Sequence, residues 1–466
     1  MFQHDQRHSG RSSVAGPVRA DTLWTRQLGG ESVGPSAAPV IGNDGRILIG
    51  TMQGGVYAFS PQGTRLWKTL VPGTISAPLG VASNGRILVP TENDTSFVLD
   101  PSNGHILWRL FVGLANSGPT MVGNVAFLSG NYSNVGFVWK LDLQALAYVW
   151  QSSHLRLIDR SSPVVALGGQ IAVGTIEHVS FFNSSGLVTI LNSTGTEQCS
   201  YDLGFFRGRG VRSTLAQTST GRLVGGSAGD QASLYGDGVF VSSDITCTSS
   251  CTPPDIGHYF SSPAITSSDR VVVGTKNGVT VRDQNNCSQT ALYPTGPILN
   301  ASPVIDNQGS MYVGDDNGRL WAWSGSGSLL WSTQLDAATT SIAIDAKGSL
   351  FVASTAGHLY CFAGPGVVTV EPVHQAPTDR MSLWPNPTQG HTTIELALTK
   401  ERIVSCSVYD VSGRPVARIF SGLLGVGAWS WAWPGQDDHG RRLSRGLYWV
   451  TARIGSHRIT KMIVLL

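Results

Sequence analysis

Apolar and polar positions in the first 363 residues fall into short runs. Ile47-Leu48-Ile49 and Ile87-Leu88-Val89 are flanked by Asn43-Asp44-Gly45, Ser83-Asn84-Gly85 and Gly54-Gly55. Such runs, bounded by Asn-Gly, Asp-Gly or Gly-Gly pairs, predict β-strands in tight hairpins, because these pairs accept positive φ.

The runs belong to a repeat. A small-small-Pro anchor leads to a Gly turn and a Val/Ile run, then to a second Gly turn, an aromatic run and Gly-x-x-x-Trp. One copy has Ala37-Ala38-Pro39, Gly54-Gly55-Val56-Tyr57-Ala58-Phe59 and Gly63-Thr64-Arg65-Leu66-Trp67. Later anchors are Ser76-Ala77-Pro78, Ser117-Gly118-Pro119, Ser161-Ser162-Pro163, Ser213-Thr214-Leu215, Ser261-Ser262-Pro263, Ala301-Ser302-Pro303 and Ser341-Ile342-Ala343. Their third residues lie 39, 41, 44, 52, 48, 40 and 40 apart. A period near 40 with four strands per unit predicts propeller blades, the anchor opening the innermost strand at a crowded channel. Trp67, Trp108, Trp150 and Trp331 recur on the outer strand, where packing between blades explains them better than substrate stacking.

The eighth unit, Ser341 to Phe362, lacks an outer strand. Thr22-Leu23-Trp24-Thr25-Arg26-Gln27-Leu28 resembles Thr64-Arg65-Leu66-Trp67-Lys68-Thr69-Leu70 and is expected to complete it, which leaves no open edge. The fold expected is all-β: an eight-bladed propeller over 1–363, a Pro-bearing linker over 364–380, and a small β-sandwich over 381–466. In the last block Thr392-Thr393-Ile394-Glu395-Leu396 and Cys406-Ser407-Val408-Tyr409-Asp410 alternate as half-buried strands do, and about seven short strands suit an immunoglobulin-like sandwich.

Composition narrows the function. Apolar residues are 41%, which excludes wholesale disorder. Charged residues are 13%, about half the usual share, and net charge is +2, so no global field would hold nucleic acid or an anionic membrane. No apolar run approaches the roughly 20 residues of a membrane-spanning helix. The start, Met1-Phe2-Gln3-His4-Asp5-Gln6-Arg7-His8, lacks the apolar stretch of an export signal. Either the chain stays inside or Met1 is not the natural start. Six Cys, at 199, 247, 251, 287, 361 and 406, form no Cys-x-x-Cys pair. Cys247 and Cys251 can bridge within one loop, or all six can be buried or loop thiols.

Asp100-Pro101-Ser102-Asn103-Gly104-His105-Ile106-Leu107-Trp108 resembles the repeat of pyrroloquinoline-quinone (PQQ)-type propellers, and Phe2 to Arg11 is similar to segments that precede such propellers. The resemblance covers residues 1–363 and speaks for fold. Its family includes quinone-dependent dehydrogenases, an outer-membrane assembly lipoprotein and proteins without cofactor. Trp433-Pro434-Gly435-Gln436-Asp437-Asp438-His439-Gly440 with Gly446-Leu447-Tyr448 resembles the immunoglobulin-like domain of flagellar hook-capping proteins, and the frame from Pro385-Asn386-Pro387 through Tyr409-Asp410-Val411-Ser412-Gly413 to the terminal strand is similar to type IX secretion sorting domains. In a sorting domain this implies outer-membrane passage and surface attachment; Pro434 replaces the usual Asp after the Trp.

Catalytic parts are missing from the pattern. There is no vicinal Cys pair of the quinone dehydrogenases, no Gly-x-Ser-x-Gly elbow and no His-Glu-x-x-His. Asp315-Asp316-Asn317-Gly318 lacks the downstream Glu of a calcium loop and reads as a hairpin turn. No cofactor and no metal are expected. The connections between second and third strands are long in units 3, 4 and 5: Gly130 to Asn134, Glu177 to Ser185 and Ala228 to Asp237. Long loops serve binding. The candidate ligand residues of that rim are Asp159, Arg160, Glu177, His178, Arg207, Arg209, Arg212, His258 and Tyr259. Three Arg in six residues suit bidentate capture of a carboxylate, phosphate or sugar acid; the alternative is a solvated rim paired with Asp159 and Asp202. The function expected is an exported platform, extracellular or on the outer-membrane surface. It would bind a protein or glycan at the rim of blades 3–5 and meet the secretion machinery through its C-terminal domain. The alternatives are an enzyme (a divergent quinoprotein or a polysaccharide-active propeller) and an outer-membrane assembly scaffold.

Overall fold

The computed structural model describes residues 5–180, 183–202, 210–227, 240–247, 250–251, 261–365, 379–384, 386–455 and 457–466. The chain divides into two compact units, Met1–Val368 and Thr369–Leu466.

In the first unit the described strands form eight four-stranded antiparallel sheets. We number them in chain order: sheet 1 over 40–70, sheet 2 over 80–111, sheet 3 over 120–151, sheet 4 over 164–202, sheet 5 over 216–251, sheet 6 over 264–293, sheet 7 over 304–334 and sheet 8 over 343–362. Thr22–Gln27 supplies the outermost strand of sheet 8, pairing Thr25 with Tyr360 and Gln27 with His358. Within each sheet the second and third strands are the buried ones, as in Ile47–Gly50 and Gly55–Phe59. That is why these runs are almost continuously apolar.

The first strands are only two or three residues long, and their anchors do two jobs. The hydroxyls of Ser161, Ser213, Ser261 and Thr340 accept from the N–H of Gly174, Gly226, Gly274 and Ala353, each thirteen residues on. The next residues link sheet to sheet around the centre. The N–H of Ser162 donates to Thr214 Oγ1 (3.1 Å), that of Thr214 to Ser262 Oγ (3.1 Å), that of Ser262 to Ser302 Oγ (3.0 Å) and that of Ser302 to Ser341 Oγ (3.0 Å). Ser341 N–H then closes onto Ala37 O at 3.3 Å. This register corrects the last anchor by one residue: Thr340-Ser341-Ile342, not Ser341-Ile342-Ala343, matches Ala301-Ser302-Pro303, because Val304–Ile305 and Ala343–Ile344 are the equivalent strands.

Residues 5–17 form a strap across the opposite face. Gln6, Arg7, Ser9 and Gly10 carbonyls accept from the N–H of Val165, Gln217, Ile265 and Ile305, the second residues of the first strands of sheets 4 to 7. These donors would otherwise be orphaned in a crowded centre. His8 reaches sheet 3, with Nε2 2.6 Å from Thr120 Oγ1.

Two of the expected loops are instead extended hairpins. Val125–Tyr132 pairs with Val135–Asp142 out to Tyr132↔Val135, so only Ser133-Asn134 turns, both at positive φ as such a turn needs. Ile171–Ser180 pairs with Asn183–Leu191 in the same way. Ala228 to Asp237 lies outside the described residues.

In the second unit the described strands form a three-stranded sheet and a four-stranded sheet. Ile394, Leu396 and Leu398 of the first meet Val404, Cys406, Val408, Val450, Ala452, Ile454 and Ile463 of the second in one core. Two of its turns are built alike: Asp410 and Asp437 each accept from the N–H of the residues two and four ahead, and Gly413 and Gly440 supply the positive φ.

Candidate interaction site

The connections into the first strands carry the polar cluster. Asp159 and Arg212 pair, Oδ2 to Nε 3.2 Å, across the boundary between sheets 4 and 5. Arg160, at φ 61°, has its N–H on Asn116 Oδ1 (3.1 Å) and its Nη1 on Asn300 Oδ1 (2.9 Å), so it bridges connections far apart in the chain. Asn116 Nδ2 donates to Asp159 Oδ1 at 2.7 Å. Ser162, Thr214, Ser262 and Ser302 lie beneath, and the space left at this end of the channel is about 20 Å³, room for about one water.

Glu177 faces Arg156 at 3.4 Å. Arg156 also meets Glu197 at 3.3 Å, and Ser200 Oγ donates to Glu197 Oε1 at 2.5 Å. The structure therefore brings together Asp159, Arg160 and Arg212, and sets Glu177 in a neighbouring network. The backbone of His178 continues the sheet 4 hairpin, paired with Ser184. Arg207, Arg209, His258 and Tyr259 lie outside the described residues.

Sequence reasoning missed Arg156, Asn116 and Asn300. Arg156 interrupts the apolar run Leu155 to Ile158, a signal available in the sequence; single Asn residues in connections carried none. Beside this network the surface turns apolar: Phe111, Leu114 and Tyr132 are 70%, 48% and 62% exposed. Leu114 is bridged to Asn131, which places it next to the tip of the sheet 3 hairpin. Asp315, in the turn once comparable with a calcium loop, accepts from the N–H of Asn317, Arg319 and Gly296 and from Trp321 Nε1, so its oxygens serve the hairpin. Among the described residues no group of three His, Cys, Asp or Glu is placed to hold a metal, and no helix is long and apolar enough to cross a membrane.

The cysteines correct one expectation. Cys247 is bonded to Cys199, 48 residues away, rather than to Cys251. Cys199 stands in sheet 4 at the outer-strand position held by Trp67 in sheet 1: Ile190↔Cys199 matches Ala58↔Trp67. Cys247, at φ 58°, stands in sheet 5 at the turn position held elsewhere by Gly63, Gly195 and Gly327. The bond thus joins neighbouring sheets where others use an indole. Cys287, in the equivalent turn of sheet 6, is disulfide-bonded as well.

Comparison with known proteins agrees with this architecture. The match to BamB of Burkholderia pseudomallei is 28% identical over 141 residues, 29% of this chain and 36% of that protein. The match to BamB of Nitrosomonas eutropha is 31% identical over 99 residues, 21% of this chain and 23% of that protein. The chain thus spans about a third or less of the length of these curated relatives. In fold it is similar to BamB from Moraxella catarrhalis (TM-score 0.56, 14% identity, 73% of this chain and 99% of that one). It is also similar to a europium-containing methanol dehydrogenase (TM-score 0.60, 11% identity, 78% and 97%). At these identities the likeness concerns the propeller fold alone. Residues 52–286, half of the chain, match the family model described as outer membrane protein assembly factor BamB, and the chain belongs to that family of PQQ-like repeat propellers.

Proposed function

We propose that this protein is an outer-membrane assembly scaffold whose eight sheets are the blades of one propeller, closed by Thr22–Gln27. Segments of partner proteins dock on the face that carries Arg156, Asp159 and Arg212. The observation that carries this reading is the family match across 52–286, which runs from sheet 1 into sheet 6 and so includes this face. The surface chemistry agrees: exposed Phe111, Leu114 and Tyr132 beside a paired polar network form an apolar centre with a polar rim, the usual anatomy of a protein interface. The Cys199–Cys247 bond favours an oxidising compartment, outside the cytoplasm.

The test is a photo-crosslinking amino acid placed at Leu114 and at Tyr132 in the native host. Adducts with outer-membrane proteins or their assembly machinery are expected at both. Adducts arising only from a probe at Val18, or none at these two positions, would refute the reading.

A second reading keeps the same platform but puts it on the cell surface, with the C-terminal unit as an immunoglobulin-like sorting or attachment domain. Its seven described strands, in two sheets around one core, favour it. Deleting 381–466 should then leave the propeller retained inside the envelope; unchanged surface display would count against it.

A further inference from the structure

Several junctions between sheets share one arrangement, and the junction between sheets 6 and 7 departs from it. The outer-strand Trp of one sheet covers the turn of the next and donates its indole N–H to a carbonyl there: Trp24 to Pro61 (3.0 Å), Trp67 to Pro101 (3.0 Å) and Trp150 to Ser193 (3.1 Å). A Cβ on Gly63 or Gly195 would lie 2.7 Å from Trp24 or Trp150, so indole and turn are closely fitted. Trp331 makes the equivalent bond to Pro17 in the strap at 2.9 Å. In sheet 4 the disulfide replaces the indole. In sheet 6 the position is Ala291: Val281↔Ala291 matches Ala322↔Trp331. Ala291 has neither an indole nor a thiol to reach across, and Tyr293 of the same strand covers the turn instead: a Cβ on Gly327 would lie 3.0 Å from its ring and its hydroxyl.

A groove of about 690 Å³ lies at this boundary between sheets 6 and 7, on the face crossed by the strap. Its volume falls within the usual range for small-molecule sites, roughly 300–1,000 Å³. Val272, Val281, Met311 and Tyr293 give it an apolar floor. Arg11 from the strap and Arg270 from the first hairpin of sheet 6 line it among several hydroxyls. The lining carboxylates are already engaged. Asp5 accepts from the N–H of Arg7 and Ser9 and from Ser9 Oγ; Asp306 accepts from the N–H of Gly16, Gln308 and Ser310 and from Tyr312 OH. Neither Arg11 nor Arg270 has a side-chain hydrogen bond or ion pair among the described residues. Two guanidinium groups with no hydrogen-bonded carboxylate, over an apolar floor, suit an oxyanion carried on a ring-sized body.

We propose that the groove between sheets 6 and 7 binds an acidic sugar, its carboxylate or phosphate held by Arg11 and Arg270 and its ring seated on Val281 and Tyr293. The site lies on the face opposite the protein-docking face and does not depend on that reading.

The test is calorimetric titration of the full chain with glucuronate, with glucose 6-phosphate, and with glucose as the neutral control. At least one acid should bind about tenfold or more tighter than glucose; which acid does so identifies the anion. Arg270→Gln should weaken that binding about tenfold, and, the side chain being partly exposed, should leave thermal unfolding unchanged. Arg11→Gln should weaken binding in the same way, again without lowering the melting temperature. Equal affinity for acid and glucose, no binding of either acid, or full binding by Arg270→Gln would overturn the proposal.

Discussion

Removing the disulfide between sheets 4 and 5 measures how the ring is held at the junction where the indole is lost. Cys199 and Cys247 close a loop of 48 residues. The chain-entropy model assigns a loop of that length about 4 kcal/mol at 25 °C. Cys199→Ala with Cys247→Ala should therefore destabilise the first unit by about that amount; the strain of a Cβ at φ 58° is common to Cys and Ala and cancels. The informative partner is Cys199→Trp with Cys247→Gly, which rewrites the junction in the style of Trp150 over Gly195. Gly removes the strain, and burying much of an indole returns about 2 kcal/mol. The assay is equilibrium guanidinium unfolding followed by Trp fluorescence, with and without reductant, comparing midpoints at constant slope. A double-Ala variant that loses less than about 1 kcal/mol, or a Trp/Gly pair no better than double-Ala, would refute the view that indole and disulfide serve the same junction.

Trp331 is nearly buried and bonded to Pro17, so Trp331→Ala should cost about 3–5 kcal/mol, and Trp331→Phe, which loses chiefly the hydrogen bond, about 1 kcal/mol, in the same unfolding assay. Burial lowers the pKa of His8 from its usual 6.5 to about 4. The unfolded chain therefore takes up a proton before the folded one does. This contribution to stability is complete above pH 6.5 and is lost as pH falls from 6.5 to about 4, by roughly 3 kcal/mol; unfolding midpoints across that range should show the slope, and His8→Gln should flatten it. Burial pushes the thiols of Cys361 and Cys406 up to about 12, so iodoacetamide at pH 8 should leave both unmodified in the folded protein and label both after denaturation, read by peptide mass spectrometry.

The repeat itself was open to sequence reading because each unit carries its own instructions. Turn glycines such as Gly63 and Gly195 sit where φ must be positive, and apolar runs such as Ile47–Ile49 lie where both faces of a sheet are covered. Strand closure was legible for the same reason: Thr22–Leu28 repeats the pattern of Thr64–Leu70, and a strand deprived of local partners must pair with a distant edge. Of the candidate rim, Asp159, Arg160 and Arg212 come together because connections into the first strand share a face. Arg156, Asn116 and Asn300 were not legible, because their partners lie in other connections.

What the amino-acid order determined by itself was everything with a local cause: turns, alternation, the period of the units and the recurring indole. Tertiary structure alone decided the contacts between units. It chose Cys199 over Cys251 as the partner of Cys247, laid residues 5–17 over the second residues of four first strands, and left a groove lined by Arg11 and Arg270 between sheets 6 and 7. The physical reason is that hydrogen-bond geometry and φ preferences act within a few residues. A side chain's neighbour across a sheet boundary depends on how whole sheets are set side by side, and no spacing along the chain encodes that directly.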